Sequence, residues 1–436
     1  MGIEKFVSYF KSGEKDAEYF SQGLEWELFL VDYNTLNPAS YFGEHGVLQI
    51  LKELSANLNF EPIMDGSNII GLKNNSYKIT LETGGQIELS GSTFKKIKNG
   101  MDECKEFLSA LKNVCLAHGL SVMPAAYHPL ATVKDVDIIP KTRYAFLAKH
   151  FKEFGLNLAF DMMKLTTSVQ TSIDYSSELD FVKKLRTINA LSPVFSAIYG
   201  NSPIVQNTKS EYLSYRGNVW QNTEKKRSGI IEGVFEDGFG YARYAKYLAS
   251  LPVVEGFNKE TLKEMIGGMT LDEYEKKYGP IDEEDWSKHI SFSYTVVRAK
   301  KYIETRCFDN QTSIDMVMTI PALIKGLFYS SDDIFSMTCD MSKWLWTKDL
   351  FQVKNAINKY GLSVEWKGYS ILKMAQKLYH LASAGLEKTY PEERCFLLPL
   401  EKYIFDLKYS PGEELVRAWN KANGNIHKIK NEFYFI

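Results

Sequence analysis

The sequence predicts an α+β protein built on one curved, largely antiparallel sheet with an acidic inner face. Helices are expected on the outer side of the sheet, followed by a helical C-terminal region. Two observations lead to this fold class. Several segments alternate strictly between polar and apolar residues, which is typical of half-buried strands. Other segments repeat apolar residues at helical spacing, and this pattern predominates after about residue 312.

The first two alternating segments carry acidic residues. Residues 23–30 place Glu25 and Glu27 on one face of a strand, with leucine and tryptophan side chains on the other. Residues 79–89 form two strands around a Gly84-Gly85 bend. The polar side chains of one parity in that segment are Glu82, Gln86 and Glu88.

Two later segments repeat the alternation. Residues 166–174 place Gln170 on a polar face, and residues 302–307 place Glu304 and Arg306 together. Because successive side chains of a strand point to opposite faces, each segment has one polar and one apolar side. The sequence thus predicts strands that share one ionised face.

Helices are predicted over residues 101–120 and 370–386, where apolar residues recur every three or four positions. No linker rich in proline or glycine divides the chain. We therefore expect a single catalytic unit over 1–436, with a sheet-centred core at 18–311 and a mostly helical region at 312–436.

The composition excludes several classes of protein. The chain has 436 residues, with 52 Lys and Arg against 54 Asp and Glu, which gives no electrostatic basis for nucleic-acid binding. No polybasic patch or apolar run of about 18 residues indicates a membrane partner. The five cysteines are scattered and form no CxxC pair, so we expect a reduced, cytoplasmic enzyme acting on small molecules.

The acidic strand faces allow two interpretations. A solvated sheet face explains any one of them, but glutamate is depleted in strands, and here it recurs. If the faces converge, the carboxylates coexist by binding cations, and oxygen ligands favour Mg²⁺ or Mn²⁺ over zinc. Two or more Mg²⁺ ions with basic residues nearby are typical of enzymes that transfer a phosphoryl group from ATP.

Basic residues follow the acidic strands. Arg216 and Trp220 lie in one segment, and Arg298 and Lys300 precede the strand of Glu304 at the same parity. A guanidinium group can bind a carboxylate or phosphate through two hydrogen bonds, although a surface ion pair explains each residue singly. Neither a P-loop nor a Rossmann glycine motif is present.

Several motifs, taken in order, carry a family resemblance. The chain resembles the plant and proteobacterial type of glutamate–cysteine ligase, family 2, whose fold is related to glutamine synthetase. The resemblance runs from about residue 18 to about 400, and its most specific stretch is 68–91. The segments that carry it are 23–27, 68–73, 81–91, 140–144, 161–163, 169–170 with Asp174, 212–227 and 298–309.

The resemblance implies an activity and its cofactors. ATP would phosphorylate the γ-carboxylate of L-glutamate, and the amine of L-cysteine would attack the acyl phosphate. The products would be γ-glutamylcysteine, ADP and phosphate, which is the first step of glutathione biosynthesis. Two or more Mg²⁺ ions, or Mn²⁺, would assist, and the enzyme would be a monomer or a homodimer.

The resemblance also implies roles for individual residues. The implied metal ligands are Glu25, Glu27, Glu82, Glu88 and Glu304. His128 is added to them because more distant relatives bind metal through a histidine, although this family type usually has glutamine there. The implied catalytic residues are Arg227, Arg306, Arg298 and Lys300, and those for substrate binding are Arg216, Gln86, Gln170, Trp220, Arg143 and Lys141.

The chain departs from the family pattern near the amino-acid pockets. Leu165 stands where family members commonly have arginine, and residues 130–133 replace basic and aromatic positions. These changes leave the predicted metal strands intact. Two alternatives therefore stay open, namely the same chemistry with a different amine acceptor and an inactive relative that binds nucleotide or amino acid for regulation.

Overall fold

The structure, a computed structural model, describes residues 3–257, 268–347 and 349–433. Strands and helices alternate in the first three quarters of the chain, and helices predominate from Ile314 onwards. The strands are β1 Gln22–Asp32, β2 Glu61–Asp65, β3 Asn68–Lys73, β4 Lys78–Leu81, β5 Ile87–Ser90, β6 Leu120–Met123, β7 Ser168–Ile173, β8 Ile204–Val205, β9 Thr208–Lys209, β10 Ser228–Gly229, β11 Tyr294–Thr295, β12 Val297–Ala299, β13 Ile303–Asp309, β14 Glu365–Trp366 and β15 Tyr369–Ser370.

The α-helices vary from one turn to six. They are α1 Ile3–Lys11, α2 Val47–Leu58, α3 Ile97–Ala117, α4 Thr142–Phe154, α5 Ala159–Leu165, α6 Glu178–Tyr199, α7 Tyr215–Gln221, α8 Tyr241–Ser250, α9 Leu271–Tyr278, α10 Glu283–Ser291, α11 Ile314–Phe328, α12 Asp332–Ser342, α13 Leu350–Tyr360, α14 Ile371–Thr389, α15 Pro399–Glu401 and α16 Pro411–Lys421. Within the described ranges, no helix is long and apolar enough to cross a membrane.

One antiparallel sheet organises the molecule. Its strand order is β12-β13-β7-β1-β5-β4-β3-β2, and β6 pairs with the far end of β1. The long strand β1 lies in the middle, so it joins the hairpin of β4 and β5 on one side to β7 and β13 on the other. Gly85 has a φ of +84° in the turn between β4 and β5, a conformation that glycine adopts readily.

The apolar side of β1 explains why the sheet is stable. Leu24, Trp26 and Leu28 are all buried, and the Trp26 indole donates a hydrogen bond to the side chain of Asn310 at 2.9 Å. The helix α6 covers β13, and its residues from Thr187 to Tyr199 are buried on every side. A helix that is apolar all round belongs inside a protein core.

The C-terminal part of the chain packs against the central strands β1 and β7 of this sheet. Helices α11 and α14 contact each other and extend the main core. Leu415 and Trp419 of α16 form a second, smaller cluster with Phe29 of β1. The same strand thus carries acidic residues in its first half and an apolar contact in its second half.

The predicted strands and helices are present with small shifts at their ends, and the α+β fold class is confirmed. One difference concerns the helices. Residues of α4, α5 and α7 line the acidic side of the sheet, where the sequence placed helices only on the outer side. Strand alternation reveals which residues share a face but gives no information about the segment that covers that face.

Candidate active site

A cavity of about 520 Å³ lies on the acidic face of the sheet. Glu27 of β1 is directly opposite Glu88 of β5, while Glu25 is opposite Gln170 of β7. Glu304 of β13 lies on the other side of β7, opposite Ser172, and lines an adjoining smaller cavity together with Glu25 and Gln170. The sequence prediction that the acidic strand faces converge is therefore realised by the sheet order.

Side chains from outside the sheet close the cavity. They belong to α4 and the residue before it, to α5, α7 and α10, and to β11, and they include both apolar and basic groups. The lining residues contributed by these segments are Lys141, Arg143, Tyr144, Leu147, Met162, Met163, Trp220, Ser291 and Tyr294. The volume is within the usual range for small-molecule sites.

Three of the carboxylates have raised pKa values. Burial raises the pKa of Glu27 to about 7, and the neighbouring charge of Glu82 adds to the shift. Burial and the charge of Glu25 raise the pKa of Glu88 well above its usual range. Burial and Glu304 likewise raise the pKa of Glu25. This part of the wall is short of positive charge.

Glu304 has the opposite electrostatic environment. The Arg298 Nε lies 2.6 Å from its Oε2, and the Lys300 ammonium lies 3.4 Å from its Oε1. Burial alone would raise the pKa of Glu304, but Arg298, Lys300 and Arg306 outweigh burial and lower the pKa strongly. Glu304 is thus held ionised by basic neighbours from its own hairpin.

A glutamine connects the two halves of the wall. Arg306 donates to the Gln170 side-chain oxygen at 2.6 Å, and the Gln170 amide donates to Glu27 at 2.9 Å. Ser168 donates to the other oxygen of Glu27 at 3.0 Å. Gln170 therefore fixes the position of Arg306 and accommodates the charge of Glu27 with the same side chain.

A second basic group lies on the α4 side of the cavity. Arg143 donates to Ser291 at 2.6 Å and stacks on Phe292, while Lys141 lies over the ring of Tyr144. Tyr144 donates to the Leu81 carbonyl at 2.8 Å and lies 3.4 Å from Glu82. These contacts hold two cations across the cavity from the acidic strands.

Gln86 lines the cavity close to the β4–β5 turn. Its oxygen accepts a hydrogen bond from the Gly84 amide at 2.9 Å, and its amide donates to the Thr166 carbonyl at 3.1 Å. The side chain therefore links the turn to the start of β7. Its polar atoms are engaged with backbone in this arrangement, so it supports the cavity wall.

Arg216 and Arg306 lie on the same tryptophan. Their guanidinium carbons are 4.8 Å and 5.1 Å from the Trp220 ring centroid. Arg216 does not line the acidic cavity. It donates to the Arg306 carbonyl at 3.0 Å and lies 3.9 Å from the carboxylate of Asp309. Trp220 itself lines the cavity, and the charge of Arg216 behind it helps to lower the pKa of Glu27 against the effect of burial.

Asp309 holds Arg216 and its helix in place. The Asp309 carboxylate accepts hydrogen bonds from the hydroxyl of Ser202 at 2.7 Å and from that of Ser214 at 3.0 Å. Ser214 is also the N-cap of α7, where it accepts from the Gly217 amide. The two serines carry no sequence signal, because isolated hydroxyl residues in loops are common.

Arg227 requires a correction to the predicted catalytic set. Its guanidinium is buried away from the cavity, with Nε 2.7 Å from Glu224 and the other nitrogens donating to the carbonyls of Phe292 and Pro252. Glu224 also lies 2.8 Å from His150 Nε2. These partners make Arg227 a cross-link between loops.

His128 also lies apart from the acidic wall. It is fully buried against Phe29, and its Nδ1 accepts a hydrogen bond from the Ala131 amide at 2.9 Å. Burial lowers its pKa to about 3, so the ring is neutral and carries its proton on Nε2. His128 does not line the acidic cavity, and its Nδ1 is already used by the Ala131 amide, so it is not part of the proposed metal set.

A smaller cavity of about 330 Å³ continues the acidic one along the sheet. The two share Glu25, Lys78, Ser90 and Gln170. The smaller one is also lined by the predicted Glu304 and by Tyr77 and Tyr302. The two tyrosines and the shared Lys78 and Ser90 are absent from the predicted site. Lys78 lies one position before the alternating segment 79–89 and has the same parity as Glu82, so extending that segment by one residue would have included it.

The donor set fits a hard divalent cation. Glu25, Glu27 and Glu88 are neighbouring oxygen donors with raised pKa values. Among the described residues, no three His, Cys, Asp or Glu side chains surround one point as ready metal ligands. Mg²⁺ commonly uses one or two carboxylates and completes its shell with water and substrate phosphates, so the wall suits it.

The chain is similar in sequence to a known family of enzymes. The model of glutamate-cysteine ligase family 2 matches residues 21–426. The chain is 30% identical to a chloroplastic glutamate–cysteine ligase of Solanum lycopersicum, with 99% of this chain and 82% of the relative covered. A Nicotiana tabacum enzyme of the same name is also 30% identical, with 96% of this chain and 80% of the relative covered.

A solved structure is similar in fold. It is the glutamate–cysteine ligase of Francisella tularensis in complex with AMP, with a TM-score of 0.56 and 12% identity. The alignment covers 92% of this chain and 85% of that chain. At this identity the likeness concerns the fold alone.

An ionised cavity on an open antiparallel sheet, together with these relatives, places the protein in the ligase class of enzymes. The chain belongs to glutamate-cysteine ligase family 2. The predicted family is therefore confirmed. The predicted cytoplasmic location is wrong, because the curated relatives are named as chloroplastic enzymes.

Proposed function

We propose that the protein joins the γ-carboxylate of L-glutamate to the amine of L-cysteine, with ATP as the phosphoryl donor. The products are γ-glutamylcysteine, ADP and phosphate. Family membership supports the reaction. A single structural observation carries it, namely the charge pattern of the buried wall. Arg298 holds Glu304 ionised, whereas the carboxylates of Glu25, Glu27 and Glu88 lack matching cations and have raised pKa values.

The two connected cavities suggest how the substrates are arranged. Tyr77, Lys78 and Tyr302 give the smaller cavity aromatic faces and a cation, which suit a nucleotide base and its phosphates. Arg143 and Trp220 belong to the larger cavity, which suits the amino acids. The substrates then meet over the residues shared by both cavities.

Residues of the shared wall act on the transferred phosphoryl group. Lys300 and Arg306 supply positive charge where negative charge develops in the transition state, and Gln170 keeps Arg306 in position. Glu25, Glu27 and Glu88 would hold Mg²⁺, which neutralises phosphate charge and aligns the phosphoryl group for transfer. The walls from α4, α5 and α7 enclose the acyl phosphate and limit its hydrolysis.

The test measures ADP release with ATP, Mg²⁺ and glutamate while single amines are added. Turnover with cysteine and formation of the dipeptide support the proposal. Turnover with another amine but little with cysteine means that the same chemistry serves a different acceptor. ATP binding with no ADP formed under any condition contradicts a catalytic role and favours an inactive relative.

Two variants test the arrangement of substrates. Tyr302→Ala is expected to raise the KM for ATP at least tenfold with little effect on the KM for glutamate. Arg143→Ala is expected to raise the KM for glutamate at least tenfold with little effect on the KM for ATP. Glu61→Gln, at an exposed position of β2, is the matched control and should leave both values unchanged. If each variant changes the KM for ATP and the KM for glutamate equally, the two substrates do not occupy separate subsites.

A further inference from the structure

Two histidines meet at the outer surface of the fold. His45 precedes α2, and His118 is the C-cap residue of α3. Their Nδ1 atoms are 3.1 Å apart. Neither residue lines the two cavities described above. Their contact therefore belongs to a separate place in the molecule, with His45 exposed to solvent.

A glutamate orients one of the two rings. Glu53 of α2 lies 2.7 Å from Nε2 of His118, and Gln49 donates to the same Glu53 oxygen at 2.8 Å. Because the carboxylate accepts a hydrogen bond from Nε2, the neutral His118 ring keeps an unprotonated Nδ1. That lone pair faces His45. A carboxylate behind a histidine is the usual outer shell of a metal-binding imidazole.

The spacing of the two nitrogens fits a shared metal ion. Two metal–nitrogen bonds of about 2.0–2.1 Å at a tetrahedral angle place the nitrogens roughly 3.3 Å apart, and at a right angle roughly 2.9 Å apart. The distance of 3.1 Å between the Nδ1 atoms lies between these values. The C-terminus of α3 adds a favourable dipole for a cation.

We propose that His45 and His118 bind one divalent transition-metal ion of the Zn²⁺, Ni²⁺ or Cu²⁺ class. Imidazole nitrogens select these ions over Mg²⁺, so the site differs in chemistry from the acidic wall. In the metal-free state, His45 donates its Nδ1 proton to His118. On binding, that proton moves to the exposed Nε2 of His45 through solvent, and Nδ1 becomes a ligand.

Water completes the coordination shell. Among the described residues, no third His, Cys, Asp or Glu side chain joins these two at one point. The ion therefore exchanges readily, and it joins the segment before α2 to the end of α3. This inference goes beyond the ligase reaction and does not depend on it.

Calorimetric titration with Zn²⁺ and Ni²⁺ tests the site, with excess Mg²⁺ present to occupy the acidic wall. We expect one ion per chain and a loss of affinity of at least tenfold in His45→Ala and in His118→Ala. Glu53→Gln should weaken binding about 10–100-fold by releasing the His118 ring. His427→Ala, at another exposed histidine, is the control and should bind as the unmodified protein does.

A spectroscopic readout separates ligation from a structural effect. With one equivalent of Cu²⁺, electron paramagnetic resonance should show coupling to two nitrogens in the unmodified protein and to at most one in either histidine variant. Melting curves in EDTA verify that the variants are folded. Unchanged affinity in a His45→Ala/His118→Ala double variant, or a Cu²⁺ spectrum without nitrogen coupling, overturns the proposal.

Discussion

Glu27 and Glu88 face each other across neighbouring antiparallel strands, with both carboxylates in the same cavity. Like charges in directly opposite positions destabilise a sheet. The pKa values of both groups are raised accordingly, that of Glu27 to about 7. The wall therefore binds protons in the absence of a cation, and a bound divalent ion would relieve the same repulsion.

The first prediction concerns stability and pH. The folded state raises the pKa of Glu27 from 4.5 to about 7, so it binds the proton more tightly than the unfolded chain. In Mg²⁺-free buffer, the free energy of unfolding should therefore fall as pH rises from about 4.5 to 7. The contribution of one such group is on the order of a few kcal/mol.

Glu27→Gln removes this titration. Urea unfolding at pH 5 and pH 8 should show a smaller pH dependence in the variant, which becomes more stable than the unmodified protein at pH 8. The exposed Glu61→Gln substitution is the control and should retain the full dependence. Parallel profiles in all three proteins contradict the assignment of the repulsion to Glu27.

The second prediction concerns the metal. At pH 8, Mg²⁺ at about 100 times its Kd should stabilise the unmodified protein by ~2.7 kcal/mol, since a ligand that binds only the folded state adds RT ln(1 + [L]/Kd). The Glu27→Gln/Glu88→Gln variant should show less than a third of that gain. Thermal melting with Mg²⁺ and with EDTA measures this gain in the free energy of unfolding. An equal gain in the variant would place the ion elsewhere.

The third prediction concerns Gln170, which joins Arg306 to Glu27. Gln170→Ala leaves Arg306 without its acceptor, so we expect kcat to fall about 10–100-fold, because positioning of charge is lost. The KM for glutamate should change much less. Gln352→Ala, at an exposed position of α13, is the control in the same assay. A Gln170→Ala enzyme that keeps full kcat disproves the connection.

The sequence predicted the acidic wall because a strand has a side-chain period of two. Once Glu25 and Glu27 were placed on one strand and Glu304 on another, the alternation gave the polar face of each strand, and the convergence of these faces remained a condition. The order of the strands was not readable. It depends on which apolar faces pack against α6 and α11, and those contacts join segments far apart in the chain.

Residues outside the strands were harder to predict. Arg227 lies in a matched motif, yet its donors are used by Glu224 and by two backbone carbonyls from distant segments. The orientation of the His128 ring similarly depends on the loop that follows it, where the Ala131 amide donates a hydrogen bond to Nδ1. A motif gives the residue type and spacing, whereas the direction of a side chain is determined by its tertiary partners.

The fourth prediction separates stability from catalysis at Glu304. Its contact with Arg298 is buried, and removing one partner of a buried ion pair costs about 3–5 kcal/mol. Glu304→Gln should therefore lose both stability and activity. An Arg298→Met/Glu304→Leu variant should regain most of the stability, measured by urea unfolding, while ADP formation stays at least 100-fold reduced. Activity in the stable double variant would remove Glu304 from the mechanism.

The fifth prediction tests the structural role of Arg227. Its partner Glu224 has a lowered pKa, because contacts with His150 and Arg227 outweigh burial. Arg227→Met should lower the free energy of unfolding by about 3 kcal/mol or more, since Glu224 then loses a buried partner. Assayed at 15 °C, where the folded form predominates, the variant should keep kcat within about threefold of the unmodified enzyme, as expected for a group outside the cavity.

Arg306→Met is the matched comparison, because both substitutions remove one buried guanidinium group. It lies on the cavity wall, so its kcat should fall at least 100-fold, which is the size of effect expected from losing a donor at developing negative charge. A normally stable Arg227→Met protein with a comparable loss of kcat would instead return Arg227 to the catalytic set. It would also require the segment that carries Arg227 to turn toward the cavity when substrates bind.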